Sequence, residues 1–472
     1  MPDFPVHVQF PGRLVFVGFG SIGQGVLPLV LRHIGIKPER ITIVTADEAG
    51  KREAAEYGIK FVVNPLTRDN FRQVLDPLLG KGDFLLNLSV DVSSIALIKF
   101  AHEKGALYLD TCIEPWPGGY TDPSISPARR TNYALREEAL ALRQSHPNGP
   151  TAVLTHGANP GMVSHFVKQA LLNLASDTGV SAGNPGTREQ WAALAHKLQV
   201  KVIHIAERDT QVSNVPKRLG EFVNTWSVDG FVSEGCQPAE LGWGTHEKEL
   251  PPRGRRYDFG PQNAIYMLQP GASTRVRTWT PKAGPFHGFL ITHGESISIP
   301  AYLSHREGDK VVYRPTVHYA YHPCNDAVLS VHEFAGRNWH LQERKRILNE
   351  EIVSGGIDEL GVLLAGHKKN AYWYGSQLSI DEARKLVPHN TATSLQVCVA
   401  VLSGMVWAME NPKAGVIEPD EMDFRRNLEV CMPYLGPVVG VYGDWTPLTQ
   451  RGELFEEDLD RSDPWQFKNV LV

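Results

Sequence analysis

Gly18, Gly20 and Gly23 close the segment RLVFVGFGSIGQG, residues 13–25, and their spacing is that of a phosphate-binding turn. The apolar run Leu14 to Val17 reads as a strand, and a helical pattern follows to Leu31. In that strand–turn–helix setting Gly18 permits the tight turn, Gly20 lets a pyrophosphate approach the backbone, and Gly23 lets the helix pack on the strand. Ser21 and Ile22 lie inside the same turn, where helix N–H groups and the positive dipole end meet the phosphates. The second strand, in ITIVTADEAG (41–50), ends in Thr45 and Asp47. An acidic side chain there bonds adenosine ribose hydroxyls. Glu48 follows and no Arg does, so a 2′-phosphate would be repelled and NAD is preferred to NADP. Asp47 also suits the cap of a helix starting near Glu48.

Ligands of an open α/β sheet bind outside the carboxyl ends of its strands. This rule selects Ser89 and Asp91 in LNLSVDVSS, Thr111, Cys112 and Glu114 in LDTCIEPWPGG, and Asn159 with Pro160 in HGANPG. Ser89 and Asp91 fit equally the capping of a helix near Ser93, and Asn159 fits the cap of a helix running to about Leu174. No Lys, Arg or His accompanies Cys112, which reads as a small contact to the cofactor and not a nucleophile. Further along stand Glu207 at the end of VKVIHIAE, Trp226 in NTWSVDG, Glu234 in DGFVSEGCQP, His293 inside the apolar run FLITHGE, and Asp358 in SGGIDELG. Singly, each has an ordinary structural reading: a core histidine, a packing tryptophan, a cap.

These groups need elements to hold them. Residues 1–150 alternate strand-like runs (13–18, 41–46, 84–89, 107–111) with helical ones (21–33, 48–57, 68–78, 93–104, 127–145), the pattern of a Rossmann-type doubly wound parallel sheet. TAVLT (151–155) is a further strand. Beyond about residue 176, short alternating runs at 200–207, 288–295, 296–303 and 311–321 predict a second, α+β domain with a largely antiparallel sheet. The stretch 236–286, rich in Pro, Gly and charge, reads as a long connection. The apolar run 395–409 predicts a buried core helix, with Thr391, Thr393 or Ser394 as its cap, returning to the nucleotide domain. The expected division is 1–155 with a return around 388–430 for the cofactor, 156–387 for substrate and dimerisation, and a C-terminal segment 431–472 on the body.

The 472 residues carry a net charge of −5, which points to neither nucleic acid nor an anionic membrane. Five widely spaced cysteines without a CxxC predict a reduced, cytoplasmic protein without disulfides or a metal site. The opening MPDFPVHVQF has no signal-peptide pattern.

VGFGSIGQGVLPLV, DTCIEPWPGGY, THGANPGMVSHFVKQAL, NTWSVDGFVSEG and YWYGSQLS, in this order and over essentially the whole chain, resemble the bacterial homospermidine synthases of the saccharopine dehydrogenase-like group. The resemblance implies an NAD-dependent aminobutyl transfer by a homodimer. Putrescine, or spermidine, is oxidised to an imine, ammonia leaves, a second putrescine forms a Schiff base, and reduction yields homospermidine. The residues agree with it. A diamine dication needs carboxylates at both ends, for which Glu207, Glu234, Asp91, Asp358 and Glu114 are candidates. Trp226 suits an ammonium or iminium by cation–π contact. Loss of hydride needs a neutral amine, which nominates His293 as the base, with Glu207 or Glu234 beside it and Asn159 positioning the nitrogen. A saccharopine or carboxynorspermidine dehydrogenase-type reductase is the alternative; its substrates carry carboxylates and call for convergent Arg or Lys. A non-catalytic NAD-binding sensor would bind the nucleotide without polyamine turnover.

Overall fold

The computed structural model describes residues 4–472, in which two large sheets both pack on one central helix. The first sheet has seven strands, in the order Val416–Ile417, Ala152–Val153, Leu107–Asp110, Phe84–Asn87, Leu14–Val17, Ile41–Thr45 and Lys60–Val63. Every neighbouring pair is parallel. Four of the five inner strands, Leu14–Val17, Phe84–Asn87, Leu107–Asp110 and Ala152–Val153, are buried throughout, as a parallel sheet covered on both faces demands. The expected Rossmann-type sheet is present, and a strand from beyond residue 410 completes its edge.

The second sheet has ten strands, eight of them in the order Gly254–Arg256, Ala264–Pro270, Pro238–Gly242, Thr316–His322, Val202–Asp209, Ile357–His367, Asn370–Ser379 and Val438–Gly443. The remaining two, Arg275–Thr280 and Gly284–Phe289, form a hairpin that joins through Thr316–His322. All its pairs are antiparallel except Val202–Asp209 with Thr316–His322.

Three expectations need correction. The stretch 236–286 is not a loop: four strands and the start of a fifth run through it, short and broken by proline and glycine, which hid their alternation. Residues 296–303 are helix, Glu295–Tyr302; Glu295 to Ala301 are all buried, so the Ser/Ile alternation marks burial on every side and not a strand. The strand expected at 288–295 ends at Phe289, which leaves His293 in the turn before that helix. Within the C-terminal segment, Val438–Gly443 adds an edge strand to the second sheet.

The helix Ala392–Glu410 starts on the expected Thr391 cap and is buried on nearly every face. It packs against Ser21–His33 and against strands of both sheets. A Cβ at Gly25 would lie 2.4 Å from Asn390 Oδ1 and 2.7 Å from Cys398 Sγ, and one at Gly404 2.7 Å from Leu109 Cδ1. The missing side chains are what let this helix sit against both the nucleotide-side helix and the parallel sheet, and its first turns reach the gap between the sheets.

Candidate functional site

The turn after Leu14–Val17 keeps the geometry that its glycines predict. Gly18 has φ +86°, and a Cβ there would lie 2.8 Å from the Leu88 carbonyl and the Ser89 nitrogen. Gly20 caps the helix Ser21–His33 without any side-chain hydrogen bond, and a Cβ on it would meet nothing within 4 Å. Ser21 Oγ is buried with no hydrogen-bond partner. A helix N-terminus without a cap, an orphaned hydroxyl and room over Gly20 fit a pyrophosphate. Gly23 lies where a Cβ would come within 2.9 Å of the Phe19 ring, as close helix–strand packing requires. Thr45 ends its strand and is buried, whereas Asp47 is exposed. Asp47 Oδ1 accepts the Ala49 N–H at 2.8 Å, and the following helix starts at Lys51 on Gly50. Asp47 therefore does not cap that helix, and its carboxylate stands in solvent at the strand end, where a ribose would meet it.

Beyond the parallel strands' carboxyl ends lies a cavity of about 110 Å³. Leu88, Ser89, Thr111 and Cys112 form its floor, Asn159 and Pro160 one side, and Thr393 of the central helix another. Across from them stand Glu207, Trp226, Glu234, His293 and Tyr319, with Glu114 beside Cys112. Chain segments some 300 residues apart in sequence thus meet at one point. Among the described residues no Lys or Arg lines this cavity.

Each acid is held in its own way. Glu207 Oε2 accepts the Asn159 amide N–H at 2.9 Å and the Tyr319 hydroxyl at 2.5 Å. Asn159 is therefore no helix cap; Gly161 holds that position. Glu207 lies two residues before its strand's end, sharing a sheet face with Asp209. Asp209 faces Asp358 on the neighbouring strand. Burial raises the proton affinity of all three; repulsion from Asp209 adds to it at Glu207, and repulsion from Glu207 and Asp209 adds to it at Asp358, whose two oxygens have no partner. Asp358 is fully buried and stands outside the cavity lining, behind Glu207. Burial and the charge of Glu234 push Glu114 up to about 8.

His293 sits between two carboxylates: Nε2 is 3.0 Å from Glu234 Oε2, and Nδ1 3.3 Å from Glu295 Oε1. Burial lowers its pKa, but Glu234 and Glu295 more than offset this and raise it to about 10. The expectation of an imidazole poised near neutrality gives way to an imidazolium. Its ring stacks on Tyr319, centroids 4.3 Å apart. Trp226 is half-buried, donates Nε1–H to the Tyr321 hydroxyl at 3.2 Å, and meets Phe231 edge-on. Burial and the charges of Glu114 and Glu234 keep the Cys112 thiol protonated. Ser89 bonds Asn87 Oδ1, and Ser93, not Ser89 or Asp91, caps the helix Ser94–Lys104. Asp91 is exposed, has φ +63° and is not part of the cavity lining; the charges that bear on it are those of Asp229 and Lys345.

Sequence reasoning missed Glu295, Tyr319 and Asp209. Tyr319 and Asp209 lie on strand faces already marked by their neighbours, Tyr319 by its alternation with Tyr321 and Asp209 by its two-residue spacing from Glu207. Glu295 was masked by the mistaken strand.

The family models for the saccharopine dehydrogenase NADP binding domain and the saccharopine dehydrogenase C-terminal domain match residues 14–153 and 157–444. Homospermidine synthase from Blastochloris viridis is 58% identical, with both chains covered in full. The chain belongs to the homospermidine synthases. A second homospermidine synthase, from Mesorhizobium japonicum, is 54% identical over 100% of this chain and 98% of its own. The crystal structure of homospermidine synthase from Legionella pneumophila in complex with NAD superposes with a TM-score of 0.92, at 49% identity over 98% of each chain. The resemblance read from the sequence is the family found by comparison.

Proposed function

We propose that this chain converts two molecules of putrescine into homospermidine and ammonia, with spermidine as a second aminobutyl donor, and that NAD is not consumed overall. The observation that carries this reading is the cavity itself: three buried glutamates and an aromatic wall, with no Lys or Arg in the lining to meet a substrate carboxylate, beside the dinucleotide turn. A carboxylated amino-acid adduct would need convergent Arg or Lys, so a saccharopine-type reductase fits poorly.

Gly18, Gly20, Ser21, Ile22 and Gly23 would hold the pyrophosphate, Thr45 and Asp47 the ribose, and Ser89, Thr111, Cys112, Asn159 and Pro160 the nicotinamide end. NAD bound there supplies a hydride acceptor for the amine-bearing carbon and a donor for the later imine. The chain's own groups do the rest. Glu207, Glu234 and Glu114 hold ammonium groups, and Asp209 and Asp358 stand behind Glu207, where crowding of the three acids favours uptake of a proton by the cluster. Hydride leaves only from a carbon bearing a neutral amine; Glu207 and Glu114, both raised toward neutrality by burial, are matched to take that proton. His293, already charged, orients Glu234 instead. Trp226 and Tyr319 shield the iminium carbon from water, so that the second amine adds there and ammonia leaves. In this reading the 1–155 region with its return at 388–430 holds the cofactor and 156–387 the substrate groups. It carries with it a cytoplasmic homodimer acting on free diamines, without nucleic-acid or membrane partners.

The test is incubation with putrescine and NAD⁺ at one-hundredth of its concentration. Homospermidine accumulating far beyond the NAD⁺ added supports the proposal; consumption of NAD(P)H in step with a keto acid would replace it with the reductase reading.

A further inference from the structure

Glu295 lies on the first turn of the helix Glu295–Tyr302 and is 1% exposed. It is outside the cavity lining, yet its Oε1 is 3.3 Å from His293 Nδ1, while Glu234 Oε2 is 3.0 Å from Nε2 on the ring's other side. Its second oxygen, Oε2, is buried with no partner. A buried carboxylate half-satisfied in this way is costly, and its position calls for a role. The count of charges supplies one. A buried Glu234–His293 pair alone is neutral and would offer little to an ammonium group. With a second carboxylate behind the ring, His293 stays protonated and the row Glu234–His293–Glu295 keeps one net negative charge, presented to the cavity through Glu234.

We propose that Glu295 is a positioning residue for the reaction: by holding His293 as an imidazolium with both ring N–H groups committed, it fixes Glu234 in place and gives that wall the net charge that attracts the cationic end of the diamine. This rests on the polyamine reading of the cavity. The groups facing His293 agree with it. Glu234 comes from the helix Val228–Cys236, Glu207 from the strand Val202–Asp209, and the Tyr319 ring from Thr316–His322; Cys112, and the Arg136–Glu418 pair that is internally neutralised, stand at its back. Carboxylates outnumber the other charges, and the one cation among them is already paired.

The first measurement uses the wild-type protein labelled with ¹⁵N-histidine, the His293→Gln variant serving only to assign the signal. Both ring nitrogens of His293 carry protons at pH 8; a neutral ring at that pH overturns the proposal, whatever the protein's activity. The second compares Glu295→Gln and Glu295→Asp with wild type. Removing the charge lowers the pH at which His293 titrates by roughly one to three pH units. It raises KM for putrescine about ten- to thirtyfold, with a smaller change in kcat. Glu295→Asp, which keeps the charge, recovers most of both. Equal loss in the two variants, or an unchanged His293 titration in Glu295→Gln, would show that Glu295 only fills its place in the fold. Because the histidine signal is read without substrate, a failure of the polyamine reading would leave it intact and appear only in the KM values.

Discussion

Replacing Trp226 separates its aromatic face from its other roles. The indole makes one hydrogen bond, Nε1–H to the Tyr321 hydroxyl at 3.2 Å, and packs edge-on to Phe231 with centroids 5.9 Å apart. Trp226→Phe keeps a π face toward the cavity and forfeits the hydrogen bond, worth about 1 kcal/mol, so kcat/KM for putrescine falls about fivefold. Trp226→Leu keeps apolar volume and loses the face as well. A desolvated cation–π contact contributes about 2 kcal/mol, which takes the combined loss to the order of a hundredfold. The assay is homospermidine formation followed by mass, with the NAD⁺ dissociation constant measured in parallel and changing less than about twofold. If the Leu and Phe variants lose activity equally, or if nucleotide affinity falls with activity, Trp226 is a packing residue and the cation–π argument fails.

Gly20→Ala is a clean probe of the nucleotide turn: its Cβ meets no protein atom within 4 Å, so thermal stability stays near wild type while NAD⁺ binding weakens at least about tenfold by titration. Glu114 is raised to about 8 from 4.5. The native state therefore binds the extra proton, and stability falls by roughly 1.4 kcal/mol per pH unit as pH rises between those values. A bound dication lowers that affinity again, so calorimetry at pH 7.5 in buffers of different ionisation heat shows proton release on putrescine binding, reduced in Glu114→Gln to the share of Glu207. Arg136 makes a two-pronged pair with Glu418, at 2.6 and 2.7 Å, tying the helix Asn132–Ser145 to the segment that supplies the sheet's last strand. Arg136→Met strands a buried carboxylate and lowers the unfolding free energy by about 3–5 kcal/mol in urea titration, while Arg136→Met with Glu418→Leu recovers most of it.

The nucleotide half of the fold was legible because its signals are local: an apolar run, glycines at fixed offsets, and an acid at the next strand end all fall within the first fifty residues. The carboxylates of the second half were legible as residue types but not as a site. Glu207 and Glu234 acquire their meaning from Tyr319, Asn159 and His293, which reach them only through sheet pairing and helix packing. Asp91 and Asp358 show the converse. Asp91 follows a strand-like run and Asp358 sits beside two glycines, contexts that give no depth, and one lies in solvent while the other is sealed behind Glu207. His293 was found by type and misjudged in protonation, since its charge is set by Glu295, on a helix whose complete burial removed the periodicity that would have revealed it. The segment 236–286 failed for a related reason: short strands interrupted by proline carry too few alternations to register.

The central claim is that oxidation and reduction occur in one enclosed cavity, at one carbon, with the hydride returned where it was taken. Putrescine deuterated at both aminomethylene carbons, mixed with an equal amount of unlabelled putrescine and with NAD⁺ at one-hundredth of their concentration, tests this by the mass of the product. Homospermidine keeps, from the first turnover, every carbon-bound deuterium of the two putrescines that form it. Product carrying any number of deuteriums other than zero, four or eight, or no homospermidine at all, would contradict it.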